Sequence, residues 1–435
     1  FETLEIFSVG DVDGGFGAVF LPTGSTPGII PFPSETAGSV DDLDQTTAEF
    51  RVAYDRGGRV RAQGGVFYFS ENVEISSVSF DSLAGNVENG SSERFQETDA
   101  IGVFGSVSID VTDRLTVSGG LRYTDDEKDF EAERFESPVG AGPQERLFES
   151  AQDDQVSWDV SATYGVNDDV NVYARIARGF RAPSIQGRLL FGNELSVADS
   201  ETVISYEGGV KSELLDGRVR ANLGGFYYEL NDQQLTSVGG VNNTVALFNA
   251  DEGVGYGFEF DMEAAVTPNL VVTGGVSYNF TEIQDEGLEV PACASPCTIL
   301  DPFRQVANPF AADGDGFDEI ASVDGNAFPN APRWIGNVTA RYGVPFRGGE
   351  VYLYTDWAYK GSVNFVLYES VEFGEDGFWE GGLRLGYEAA AGWDVSAFGR
   401  NITGQDRLTG GIDFNNLTGF VNEPSVWGIE VGVEF

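Results

Sequence analysis

The residues here that could do chemistry are carboxylates, and their most suggestive arrangement is AADGDGFDEI, where Asp313, Asp315, Asp318 and Glu319 are spaced by glycines. Hard oxygen ligands at alternate positions, with Gly for a tight turn, suit calcium, although the spacing falls short of an EF-hand loop. An unoccupied, solvated acidic loop is the plainer reading. Cys293 and Cys297 are the two cysteines, in PACASPCTIL. A C-x3-C pair in a chain without His does not make a zinc site; a local disulfide in an exported loop is expected, and with it an oxidising compartment.

No catalytic set is legible. With His at 0, general-base and triad arrangements built on imidazole are absent. GDVDGGFG lacks the strand-to-helix setting of a phosphate loop. The chain is expected not to be an enzyme. Lys and Arg number 25 against 70 Asp and Glu, a formal charge of −45, so the surface repels nucleic acid, which needs cationic clusters to replace phosphate counterions. Calcium in the acidic loops is the one cofactor these residues suggest.

The elements that would carry such loops are strands. The chain ends in WGIEVGVEF, with Trp427, Ile429, Val431, Val433 and Phe435 on one face and Gly428, Glu430, Gly432 and Glu434 on the other. A strand with one apolar and one polar face needs two solvents, and an outer-membrane barrel offers lipid outside and a wet lumen inside. The terminal aromatic resembles the signal such barrels present to their assembly machinery. In RLTVSGGLRYT, Leu115, Val117, Leu121 and Tyr123 oppose Thr116, Ser118, Arg122 and Thr124. No run approaches the roughly 20 apolar residues of a membrane helix, while Gly at 57 and aromatics at 13% suit closely paired strands with aromatic girdles.

Seven tight turns punctuate these strands: DRGG at 55–58, VTDR at 111–114, VNDD at 166–169, LDGR at 215–218, TPNL at 267–270, PFRGG at 345–349 and AAGW at 390–393. Long polar segments alternate with them, including 11–45, 76–95, 134–152, 236–250, 285–327 and 403–423. Tight turns at one end and long loops at the other are the asymmetry of outer-membrane barrels, with the long side extracellular. Seven hairpins, FETLEIFSVG and the terminal strand give about sixteen strands of an all-β, antiparallel, up-and-down transmembrane barrel filling residues 1–435. In such a barrel Arg175, Arg178 and Arg181 are lumen candidates that would hold an anionic ligand or dock a plug, or else brace the wall as a ladder of ion pairs. Aromatics near strand ends, such as Tyr123, Tyr164, Phe226, Tyr228, Tyr354 and Trp393, read chiefly as interface girdle.

VNVYARIARGFRAPSIQGRL, followed by YEGGVKS and LDGRVRANLGGFYY, resembles TonB-dependent receptors. The matching residues include Arg178, Gly179, Phe180, Arg181, Ala182, Pro183 and Ser184, then Tyr206, Glu207, Gly208, Gly209 and Lys211. NAPRWIGNVTARY at 330–342, GRNITGQD at 399–406 and the terminal strand add to the likeness. The resemblance implies a 22-stranded barrel in a Gram-negative outer membrane, plugged by an N-terminal domain and driven by a TonB-type inner-membrane motor. It implies uptake of a scarce nutrient such as a metal chelate, a cobalamin-like cofactor or an oligosaccharide. Outer-membrane lipid and lipopolysaccharide, the barrel-assembly machinery and a small-molecule or chelate ligand are the expected partners. No plug-like segment is legible, so Phe1 is expected to lie inside a longer parent. A passive porin-like channel, and a structural barrel anchoring a surface layer through divalent ions, are the alternative functions.

Overall fold

The computed structural model describes residues 2–3, 6–10, 15–16, 30–31, 35–81, 84–239, 244–292, 300–308, 317–413 and 417–433. Among them the wall is one antiparallel sheet. Its first strand, β1, is interrupted: Glu2–Thr3 and Ile6–Gly10 both pair with the strand that follows. That strand is β2 (Glu35–Tyr54), and next come β3 (Val60–Asp81), β4 (Val87–Asp110), β5 (Leu115–Glu136), β6 (Gln144–Gly165) and β7 (Val170–Arg181). β8 (Glu201–Leu214), β9 (Val219–Gly239), β10 (Thr244–Thr267) and β11 (Leu270–Gln284) continue the wall. β12 (Trp334–Phe346), β13 (Gly349–Lys360), β14 (Phe378–Ala389), β15 (Trp393–Arg400) and β16 (Val426–Val433) complete it. Each strand pairs with its sequence neighbours, as in an up-and-down barrel. Among the described residues no pairing joins β16 to β1.

All seven expected turns are hairpin tips within this wall. Between β12 and β13 the loop is only Arg347 and Gly348, at φ 44° and 79°. A two-residue type I′ turn needs positive φ at both central positions, which is why Gly occupies the second.

The register sorts β2–β16 into the same two faces. Outward rows are apolar: Phe50, Val52 and Tyr54 on β2, Val103, Val107 and Ile109 on β4, and Trp427, Ile429, Val431 and Val433 on β16. Ile429 is 77% exposed, a burial level that only lipid makes favourable. Aromatic pairs mark the two rims of this apolar band. Tyr256 stacks on Phe280 at 4.7 Å, Tyr278 meets Trp334 at 4.9 Å and Tyr359 meets Trp379 at 5.2 Å toward the long-loop end; Tyr387 and Trp393 meet at 5.4 Å toward the turn end. Phe226, Tyr228 and Tyr354, read from sequence as girdle, instead belong to the inward rows.

Inward rows carry the charge. Arg61 meets Asp110 at 2.7 Å, Arg220 meets Glu263 at 2.7 Å, Arg384 meets Glu430 at 2.9 Å, and Arg341 bridges Glu350 at 2.6 Å and Glu388 at 3.0 Å. Side chains at a wet lumen keep their hydration, so these pairs add little to stability.

One expectation is corrected. The segments 76–95, 134–152 and 236–250 and the end of 11–45, read as loops, are largely strand, because β2 starts at Glu35 and β3, β4, β5, β6, β9 and β10 run on well past the girdle. Beyond Tyr123 the outward row of β5 becomes Asp125, Glu127, Asp129, Glu131 and Glu133. Alternation continues there between two polar faces, so the apolar signal disappears where the lipid stops. The 24 residues of β4, at about 3.4 Å each and a tilt of about 40°, rise roughly 60 Å, more than twice the ~25 Å apolar band. β15 and β16 have 8 described residues each and by the same measure rise roughly 21 Å, just short of that band. The rim is therefore tall over β2–β6 and again over β9 and β10, and low over β13–β16.

The buried core sits at the long-loop end. One cluster joins Leu235, Ile283, Val290, Val323, Leu367 and Tyr368; a second joins Phe130, Ala132 and Leu189; a third joins Val363, Phe365 and Phe373. The loop after β13 thus packs against β9, β10 and β11, and the loop between β7 and β8 packs against β5.

Candidate functional site

The three arginines of β7 do not act together. Arg175 lies in the inward row between Asp159 and Glu207, at 4.0 and 3.7 Å, and continues the lumen ladder. Arg181 shares its face, opposite Glu201. Arg178 does not, which corrects its assignment to the lumen: with period two it falls in the outward row opposite Trp158 and Ile204. Its guanidinium is used up locally, donating to the Val156 carbonyl and, at 2.9 Å, to Gln155 Oε1. Arg175→Gln is expected to change barrel stability by less than about 1 kcal/mol, because both ion pairs are long and hydrated; denaturant titration of the folded band in electrophoresis without heating checks this.

Of the acidic loop, Asp313 and Asp315 lie outside the described residues, as do Cys293, Cys297 and Phe435. Asp318 and Glu319 are successive residues of the strand Phe317–Ser322 and so project to opposite sides. Asn308 Nδ2 donates to Asp318 at 2.8 Å and Gln305 Nε2 to Glu319 at 2.9 Å. Among the described residues no group of three or more potential ligands is placed to hold a metal ion.

The lumen wall has a broad hollow of about 660 Å³ beside Arg51, Arg122 and Arg175, open to the channel and interleaved with Glu49 and Asp159. A smaller, more enclosed cavity of about 280 Å³ lies in the mouth. Val238, Val290, Phe365 and Leu367 form apolar walls, and Arg188 and Asp413 supply its charged side chains. The low-side loop 361–377 is shaped by Asn364, which donates to the Val366 and Tyr368 carbonyls at 2.7 and 2.6 Å, and by Asn326, which donates to the Leu367 carbonyl at 2.9 Å. Tyr368 donates to Asp413 at 2.5 Å, so that carboxylate already has a partner.

Arg188 has none of this compensation. Among the described residues it makes no ion pair; its guanidinium stacks on the Phe191 ring at 4.8 Å. Arg94, on the inward row of β4 beyond the apolar band, stands within electrostatic reach of it, and its Nε is buried without a hydrogen-bond partner. Burial, and after it the like charge of Arg94, push the Arg188 guanidinium below its ordinary value, and burial does the same to Arg94. An anion bound near two half-buried like charges would relieve both the burial and the repulsion. In a chain with 70 acidic residues, two arginines that make no ion pair among the described residues stand apart from the lumen ladder, and Asp413, the carboxylate in the same cavity, is already bonded to Tyr368. The 280 Å³ hollow is preferred to the larger one for that reason.

Neither arginine was singled out by sequence, though a signal existed for one. Arg188 lies in APSIQGRLLFGN, which contains no acid. Arg94 fell in a stretch read as loop, where no inward row could be assigned.

A family described as TonB dependent receptor-like, beta-barrel, matches residues 9–402. The pesticin receptor of Yersinia enterocolitica is 27% identical over 180 residues, 41% of this chain and 25% of the receptor. In fold, the chain is similar to the ferric yersiniabactin uptake receptor FyuA from Yersinia pestis, with TM-score 0.73 and 18% identity over 94% of this chain and 56% of that one. It is also similar to the ferric citrate transporter FecA in its unliganded form, with TM-score 0.62 and 16% identity over the same shares, 94% and 56%. The chain thus spans little more than half the length of these solved structures.

Proposed function

Since this chain belongs to the TonB-dependent receptor β-barrels of the Gram-negative outer membrane, a family of receptors and not of enzymes, we propose that it forms the wall of a receptor for an anionic metal chelate. The long-loop end faces the medium and captures the chelate; the tight-turn end faces the periplasm. A plug contributed by the rest of the protein, coupled to a TonB-type motor, releases the ligand into the lumen.

The observation that carries this reading is Arg188 at an apolar-walled cavity in the mouth, without an ion pair among the described residues and with the half-buried Arg94 within electrostatic reach. Ferric chelates are commonly anionic, and guanidinium is suited to carboxylate, catecholate or phosphate oxygens through its forked donors. An apolar wall beside a cation also fits a chelate with an organic backbone better than a bare ion. The similarity to receptors named for ferric yersiniabactin and ferric citrate points the same way.

The test is uptake of radioactive iron from a panel of anionic ferric chelates by cells with and without the gene, with the motor intact and with it inactivated. Gene-dependent and motor-dependent accumulation of at least one chelate is expected. Accumulation that survives loss of the motor, together with steady ion conductance in planar bilayers, would instead establish a passive channel.

A further inference from the structure

The tall side of the mouth contains a third arginine that touches neither the cavity nor a carboxylate. Arg134, near the end of β5, is 1% exposed. Its Nε donates to the Gly142 carbonyl at 2.9 Å, one terminal nitrogen to the carbonyls of Leu189 (2.9 Å) and Gly192, and the other to Asn193 Oδ1 at 2.7 Å. All four acceptors are neutral, and three of them belong to the segment 187–195. Burying a guanidinium among neutral acceptors is costly unless its donors are used, and here four bonds use them in a fixed fork.

The same segment is clamped from below. Leu189 is fully buried against Phe130 and Ala132 of β5, with Leu147 of β6 and Leu195 closing the cluster, and Gly187 lies so close to the Phe130 ring that a Cβ would come within 2.2 Å of it. Arg188 is flanked by these two anchored residues. Its backbone is fixed on both sides while its side chain turns to the cavity.

We propose that Arg134 is the positioning residue of the anion site: by tying 187–195 to β5 it presents the Arg188 guanidinium to the ligand. This rests on the reading of Arg94 and Arg188 as an anion-binding pair, but its consequence for the loop can be measured without any ligand. Arg134 touches no ligand itself. It substitutes for the missing rigidity of a loop that must place a flexible cation in one location.

The experiment uses the full-length receptor in detergent and two readouts. In limited trypsin digestion followed by mass spectrometry, the Arg188–Leu189 bond of the unaltered protein is expected to resist cleavage, and Arg134→Met to expose it at least tenfold faster while the wall strands stay intact. In binding of ferric citrate as an anionic probe, Arg134→Met and Arg188→Met are each expected to weaken affinity by about tenfold or more, as for a charge-assisted contact. Arg134→Met should add little once Arg188 is already Met. An equal loss in both backgrounds would mean general damage and would overturn the proposal, as would an Arg188–Leu189 bond that stays protected in Arg134→Met. If ferric citrate binds to none of the proteins but the bond still opens, the loop-positioning role stands and the choice of ligand fails. Should Arg134→Met not assemble, Arg134→Lys, which keeps the charge but cannot reach all four acceptors, is read in the same way, with intermediate cleavage expected.

Discussion

Reversing both cations of the mouth, in Arg94→Glu/Arg188→Glu, is expected to reduce capture of an anionic chelate by at least about 100-fold while leaving the barrel assembled. Each hydrogen bond to a charged group contributes on the order of 1.5–3 kcal/mol, and two lost together exceed the roughly 2.7 kcal/mol that a 100-fold change requires. Sign reversal adds repulsion to loss, so the effect should exceed that of Arg94→Met/Arg188→Met. Assembly should be spared because neither guanidinium makes an ion pair among the described residues and both lie beyond the lipid band. Equilibrium binding to the purified protein, with the folded electrophoretic band as control, checks both halves. The net charge of −45 gives this prediction a kinetic companion. The whole molecule repels an anion at long range, whereas the arginine pair attracts it only within a Debye length of about 8 Å at physiological salt. Association should therefore become faster as salt rises from low to moderate levels, opposite to the trend for a ligand steered by the global field.

The second large effect belongs to the wall. Val276→Arg is expected to cost about 2–4 kcal/mol and sharply lower the yield of assembled protein, whereas Ser277→Arg, one residue on, should be close to neutral. Val276 lies in the outward row of β11, opposite Phe260 and Gly336, between the aromatic rims. Ser277 lies in the inward row opposite Glu259, which a new arginine could meet. The same added charge thus meets hydrocarbon in one case and water with a counter-ion in the other. Comparing the folded fraction of the two variants after extraction from membranes is decisive: equal yields would mean that the apolar rows do not face lipid.

Legibility followed the solvent. Where lipid touches the wall, one face of each strand had to be apolar, and the rows through Leu121, Val107 and Ile429 could be read directly, as could all seven turns, whose Gly, Asn, Asp and Pro residues are set by backbone geometry. Above the lipid both faces of β4, β5 and β6 are wet, and the pattern that identifies a strand vanished while the strand continued. The candidate site was lost for the same reason. Arg94 could not be assigned an inward face without the strand that carries it, and the location of Arg188 depends on bonds from Arg134, more than fifty residues earlier. The β7 arginines were conspicuous because their strand was recognisable, yet Arg175 serves the lumen ladder and Arg178 faces outward. Cation spacing within one strand reveals the wall; a ligand site assembled from several loops leaves no such trace.

The uneven height of the rim determines how the mouth meets the cell surface. A barrel cut off flush with the lipid would open among the sugar chains of its glycolipid neighbours, and a bulky solute would have to thread between them. Here β2–β6 stand well above the apolar band, while β13–β16 stay low. The opening is uneven, like a scoop, and on the proposed reading a ligand would meet the tall side, where Arg94 and Arg188 make no ion pair among the described residues.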